Sequence, residues 1–183
     1  FLISKFHLQT TPDMEYKPVF SAIEGNSYTS TPGYKRPVVV GTGPCGLFAA
    51  LTLAQLGLRP LVIERGKAVR ERTKDTWGFW RKQIFNQESN VQFGEGGAGT
   101  FSDGKLWTQA KDRRHLGRKV MEEMVKGGAP EEILYVSKPH VGTFRLVKIV
   151  EYLRSEIERL GGEIRFSSRV ENIVVEAGGI RGL

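Results

Sequence analysis

Cysteine occurs once among the 183 residues, as Cys45. This excludes an internal disulfide and a Cys-x-x-Cys redox pair, and it suits a reducing compartment, with the cytoplasm as the default. Histidine is also scarce. His7, His115 and His140 stand far apart without cysteine or carboxylate at ligand spacing, so no metal site is expected. Long apolar runs are absent, and the longest, from Leu47 to Leu56, is interrupted by Thr52 and Gln55, too short and too polar for a membrane span. Phe1-Leu2-Ile3 runs straight into Ser4-Lys5 with no basic region before it, which does not read as a signal peptide. The first residue is not methionine, so the true beginning is expected upstream. A formal charge of +7 would attract phosphates of any kind. No recognised nucleic-acid module accompanies it, so no nucleic-acid partner is expected. The positive charges from Arg65 to Lys82, interspersed with Glu71 and Asp75, read as a solvated helix face.

Glycine, by contrast, is abundant, and its 22 copies concentrate where loops would approach a ligand. Residues 1–36 read as an N-terminal extension and linker, punctuated by Thr11-Pro12-Asp13 and Thr31-Pro32-Gly33. From residue 37 a domain begins. Pro37-Val38-Val39-Val40 is a short β-branched strand, Cys45 to Leu56 a helix capped by Gly57, and Pro60-Leu61-Val62-Ile63 a second strand, together a βαβ unit with a parallel pair. Glu71 to Phe85 is expected as a helix weakened by Gly78, and residues 86–105 as a long loop. Gly117 to Lys126 reads as a helix closed by Gly127-Gly128. The positions Leu146, Ile149, Val150, Leu153, Ile157 and Leu160 place one apolar face on a further helix, stopped by Gly161-Gly162. Glu163 to Phe166, Val170 to Glu176 and Ile180 to Leu183 then read as strands, with Gly178-Gly179 as a hairpin turn.

The chemistry lies in the glycine pattern Gly41-Thr42-Gly43-Pro44-Cys45-Gly46, set between strand and helix, with Glu64 ending the next strand. Gly41 permits the tight turn, Gly43 lets backbone amides approach a pyrophosphate, and Gly46 allows close helix–strand packing. The helix N-terminus supplies dipole and free amides for the phosphate charge. Glu64 follows Gly46 at close to the usual spacing of about 20 residues, where its carboxylate can accept hydrogen bonds from ribose hydroxyls and repel a 2′-phosphate. Cys45, in the first turn of that helix, is read as a small residue packed under the phosphate turn rather than a redox centre. A second loop, Phe93 to Lys105, contains Gly94, Gly96, Gly97, Gly99 and Gly104, and the flanking Phe93, Phe101 and Leu106 point to an ordered ligand cradle.

These segments resemble a known family. The run from Val38 to Ala50, Ile63-Glu64-Arg65-Gly66, Asn90-Val91-Gln92 with Phe93 to Thr100, and Lys138-Pro139-His140-Val141-Gly142-Thr143 are similar to the uncharacterised FAD-dependent dehydrogenases of bacteria, also called NAD(FAD)-utilizing dehydrogenases, within the glutathione-reductase-like flavoproteins. The resemblance implies a Rossmann-like FAD/NAD(P)-binding α/β domain with a parallel sheet, in three layers, with a β-hairpin near the C-terminus. It implies FAD, with Gly41, Gly43, Pro44 and Gly46 at the pyrophosphate, Glu64 at the adenosine ribose, Arg65 beside adenine, and Val170 touching adenine through its backbone. Gly96, Gly97, Ala98, Gly99 and Thr100 would approach the pyrophosphate or the flavin side. Members of that group are longer, so residues 37–183 are expected to be the N-terminal, incomplete part of the FAD-binding domain. The isolated fragment is then expected to be inactive, and its unpaired sheet edge open to association. The activity implied is that of an FAD-dependent oxidoreductase of unknown substrate, with NAD(P)H as a candidate electron donor. Flavin carries the redox chemistry itself, so no catalytic side chain is assigned. An NAD-binding dehydrogenase and a non-catalytic nucleotide-binding subunit remain as alternatives.

Overall fold

The computed structural model describes residues 33–108 and 111–183, so most of the N-terminal extension, and His7 with it, lies outside the described residues. The βαβ unit is present. Strand β1 (Val38–Val40) leads through a glycine turn into helix α1 (Pro44–Gln55), and β2 (Leu61–Ile63) pairs with β1 in parallel, Val39 opposite Val62. Pro44 occupies the first turn of α1, where a missing N–H costs nothing. Gly57, at φ +77°, terminates the helix by donating its N–H to Ala54. Helix α2 (Val69–Lys82) starts two residues earlier than expected and stops at Gln83, which adopts the left-handed conformation and closes onto Phe79.

Helix α3 (Leu116–Lys126) and helix α4 (Thr143–Arg159) follow the long loop, and β3 (Glu163–Arg165) joins the sheet beside β2, again parallel, giving the order β1-β2-β3. Leu146, Ile149, Val150, Leu153 and Ile157 are buried along α4 against Leu47, Ala50, Leu51 and Ala54 of α1, the apolar face that helical spacing predicts; Leu160 is only partly buried. Each fully buried aliphatic side chain contributes about 1.5–3 kcal/mol, so the α1–α4 seam is the main source of stability for the turn at the start of α1.

The three-layer expectation is corrected. Helices α1 and α4 pack together on one face of the sheet, whereas Val38 and Val40 on the other face are about half exposed, leaving two layers among the described residues. The strand expected over Val170–Glu176 is shorter, beginning only at Val174 in β4 (Val174–Glu176). The cause is upstream: Ser167 turns at φ +51° and donates to Gly66, while Ser168 donates to the carbonyl of Glu64, which draws the chain across the end of β2. The hairpin pairs β4 with β5 (Gly179–Gly182), and its turn is Ala177-Gly178 rather than Gly178-Gly179, with φ of +48° and +75°. That left-handed pair is the type I′ geometry that suits a two-residue hairpin loop. No helix among the described residues is long and apolar enough to cross a membrane.

Candidate functional site

A cleft of about 570 Å³ opens where β1 and β2 end, lined by Gly41, Gly43, Glu64, Arg65, Phe93, Gly97, Arg169 and Val170. Each glycine of the first turn is present for a different reason. Gly41 holds φ +91°, and a Cβ on Gly46 would stand 2.0 Å from the carbonyl oxygen of Gly41. A Cβ on Gly43 would meet nothing within 4 Å, although its backbone is an ordinary extended one at φ −62° and ψ 175°. The space it leaves belongs to the cleft. No side chain caps the α1 N-terminus, so its first amides stay available to an anion.

Glu64 is almost completely buried at the end of β2. Its Oε2 accepts from the amide and from the hydroxyl of Thr42, both at 2.7 Å, and its Oε1 accepts from the amide of Gly66 at 2.8 Å. The carboxylate thus braces the turn as well as lining the cleft. At the rim, Glu88 takes a hydrogen bond from Arg65 at 2.8 Å and from Arg169 at 3.0 Å, with the Arg65 guanidinium 3.9 Å above the Phe93 ring. Arg65, with Arg169 adding to it, holds the Glu88 carboxyl below its ordinary range.

The second glycine loop is ordered by Arg72 of α2. Arg72 is fully buried, correcting the solvated-face expectation for the Arg65–Lys82 stretch. Its Nε donates to the carbonyl of Asn90 at 2.7 Å, Nη2 to Val91 at 2.6 Å, and Nη1 to Glu95 at 2.6 Å and Gly97 at 2.8 Å. Burial lowers its pKa to about 10, against the pull of Glu64 and Glu95, so it remains a cation at neutral pH. The loop's first half is shaped by asparagine side chains: Asn90 Oδ1 accepts from Gln92 and Phe93, and Asn86 Oδ1 from Glu88 and Ser89. Helical spacing held the missed signal, since Arg72 shares a face with the buried Val69 and Thr76.

The two glycine segments touch. Gly96 donates to the carbonyl of Thr42 at 2.8 Å, and a Cβ on Gly97 would come within 3.0 Å of the Gly43 Cα. Beyond this contact lies a larger apolar cleft of about 880 Å³, between α1, α4 and the loop. The predicted site residues therefore divide. Gly41, Gly43, Glu64, Arg65, Gly97 and Val170 share the first cleft, and Pro44, Gly96, Gly99 and Thr100 line the second. Gly46 is packed behind the turn, and Ala98 is exposed outside both. Cys45 is corrected as well: it is exposed and lines the second cleft instead of packing under the turn, because the first turn of α1 directs it away from the sheet. The Lys138–Thr143 motif acts as a splint. Leu106 donates to Pro139, Val141 to Gly104, Gly142 to Asp103 and the Thr143 hydroxyl to Ser102, fastening the far end of the loop to the start of α4.

Glu95 ties the loop to two helices, its Oε2 accepting from the Val69 amide at 2.7 Å and from Arg154 at 2.9 Å. A carboxylate 26 positions away in sequence thus caps α2, which explains the earlier start of that helix. Its Oε1 finds no hydrogen-bond partner among the described residues. Burial pushes its pKa up to about 7, overriding the opposing effects of the Val69 amide and Arg154. A carboxyl whose folded pKa exceeds its unfolded one stabilises the fold fully below the unfolded value and loses that contribution as pH rises through the folded value. Stability is therefore expected to fall by roughly 2–3 kcal/mol between pH 5 and pH 8 from this group alone. Urea midpoints across that range should show a slope in the wild type that is shallower by about that amount in Glu95→Gln; an equal slope in both would remove Glu95 as its source.

Taken together, a parallel βαβ unit, a glycine turn opening into a cleft and a buried acid at the end of the second strand define a dinucleotide-binding domain. Residues 36–182 match the FAD binding domain family, and the chain belongs to that family. An uncharacterised protein of Clostridium beijerinckii is 47% identical over 182 residues, covering 100% of this chain and 33% of that protein. Bacilliredoxin reductase Bdr of Bacillus subtilis is 49% identical over 35 residues, 19% of this chain and 11% of its own. The chain thus spans a third or less of the length of these curated relatives. Among solved structures, the 3-ketosteroid-Δ4-(5α)-dehydrogenase of Rhodococcus jostii RHA1, in complex with 4-androstene-3,17-dione, superposes with a TM-score of 0.47 at 15% identity, covering 86% of this chain and 43% of that one. Among the described residues no group of His, Cys, Asp and Glu could hold a metal ion.

Proposed function

We propose that this chain supplies the ADP-binding part of the FAD site in an FAD-dependent oxidoreductase, one of the uncharacterised bacterial FAD-dependent dehydrogenases, with NAD(P)H as electron donor. The observation that carries the reading is the first cleft, where the open side of Gly43, the carboxylate of Glu64 and the wall formed by Gly97 converge. The pyrophosphate would lie against Gly41 and Gly43, close to the uncapped start of α1, and the adenosine ribose at Glu64. Arg65 and Val170, which both line this cleft, would flank adenine. Pro44, Gly96, Gly99 and Thr100, facing the second cleft, would border the path toward the flavin end.

Bound flavin supplies the redox chemistry, and the residues of this chain bind and orient the cofactor. A carboxylate placed at the ribose would repel a 2′-phosphate, which favours FAD over an NADP-like ligand at this position. The test is the visible absorption of the purified full-length protein, followed by anaerobic addition of NADH and NADPH. A flavin spectrum bleached by either nucleotide supports both parts of the reading. Flavin that neither nucleotide reduces retains the FAD site and discards the donor, and a colourless protein that takes up no added FAD overturns the proposal.

A further inference from the structure

Thr42, the second residue of the glycine turn, is fully buried and does not line the cleft, yet every polar group it has is engaged at the site. Its amide and hydroxyl both donate to Oε2 of Glu64, and its carbonyl accepts from Gly96 of the second loop. Each oxygen of an ionised carboxylate offers about two acceptor positions. Thr42 fills both on Oε2, and Gly66 fills one of the two on Oε1. One position is left.

We infer that Thr42 is a specificity-determining positioning residue, whose hydroxyl and amide turn Oε2 inward so that Glu64 presents a single acceptor, on Oε1, to a single ribose hydroxyl. The inference rests on the assignment of an ADP moiety to this cleft. It narrows the expectation that Glu64 accepts from the ribose hydroxyls in general. The alternative geometry, in which both carboxylate oxygens face the sugar, would require Oε2 to release both of its donors from the fully buried Thr42, and a buried unpaired amide or hydroxyl is costly. The recognition that follows is lopsided. One of the two vicinal hydroxyls makes a charge-assisted bond to the protein and the other does not.

The experiment uses flavin-free full-length protein titrated calorimetrically with ADP, 2′-deoxy-ADP and 3′-deoxy-ADP. Wild-type protein should bind one deoxy analogue about 10- to 100-fold more weakly than ADP, the range set by a hydrogen bond to a charged group, and the other within about threefold of ADP. Thr42→Val removes the hydroxyl at nearly constant shape and opens one acceptor position on Oε2 to the second ribose hydroxyl, while the backbone amide still holds that oxygen. The ratio between the two analogues should then shrink to within about threefold, and Thr42→Ser should restore it. A purely structural role for Thr42 would weaken all three ligands in parallel and leave the ratio untouched, which overturns the inference, as does an equal loss for both analogues in the wild type. The wild-type series needs no variant, so a Thr42→Val protein that fails to fold leaves that arm decisive. Wild-type protein that binds no ADP overturns the cleft assignment and the inference with it, whereas ADP binding with the wrong pattern overturns the inference alone.

Discussion

Gly43→Val is expected to abolish FAD binding, weakening it at least about 100-fold, while the domain unfolds within roughly 1 kcal/mol of the wild type. The separation of the two effects follows from where the new side chain would go. The Gly43 backbone is in a region that β-branched residues adopt freely, and nothing stands within 4 Å of its added Cβ, so the fold accommodates the change. Restricting the unfolded chain gains a little stability, and a poorer residue at the helix N-cap loses about as much. The valine branches project into the cleft lined by Gly41 and Glu64, where the pyrophosphate is placed. Gly46→Ala is the inverse case, because its methyl would sit 2.0 Å from the Gly41 carbonyl and force the turn apart whether or not a ligand is present. Flavin fluorescence titration and a urea midpoint on each variant separate the two. Flavin held by Gly43→Val at wild-type affinity would show that the phosphates do not lie at this turn.

The contrast shows what a sequence can convey. The βαβ unit was legible because every signal for it is local: a β-branched run, a proline at the start of α1, a glycine after its end, an acid at the end of β2. The apolar face of α4 was legible for the same reason, as a periodicity within one element. The roles of the individual glycines were not separable from sequence, since Gly43 and Gly46 differ only in what lies across from them. The same holds for Glu95, whose capping of α2 joins two segments far apart in the chain, and for the Lys138–Thr143 motif, which has meaning only once it is laid beside residues 102–106. The exposure of Cys45 was not legible because the path of the backbone around it is set by neighbours in space. A glycine-rich loop looks uniform along the chain, yet its members serve two different clefts.

Arg72→Met is expected to cost about 3–5 kcal/mol of stability and to disorder residues 90–100, the largest effect anticipated for any side chain that does not itself reach the cleft. Methionine matches the aliphatic stem of arginine, and the stem packs tightly: a Cβ on Gly94 would lie 2.5 Å from the Arg72 Cδ, so the glycine is there to let the arginine pass. What methionine cannot replace is the guanidinium. Four backbone carbonyls lose the guanidinium in a site that holds the arginine fully buried: those of Asn90 and Val91 lose the donor they have, and those of Glu95 and Gly97 keep only the longer bonds from the Thr100 hydroxyl and amide, both at 3.3 Å. An unpaired buried acceptor costs about 1–3 kcal/mol, and the loop escapes part of that sum by opening to water, which is why it should disorder rather than merely weaken. Lysine keeps the charge but not the fork, so Arg72→Lys should recover less than half of the loss. Because Gly97 forms a wall of the cleft and Gly96 hydrogen-bonds Thr42, flavin affinity should fall with loop order although Arg72 touches no part of the expected ligand path. Hydrogen exchange resolved over residues 90–100, read beside a urea midpoint, tests this directly. Protection unchanged in Arg72→Met, or a stability loss under about 1 kcal/mol, would mean that the loop is held by the Asn86 and Asn90 turns and the Lys138–Thr143 splint, and that the buried guanidinium is replaceable.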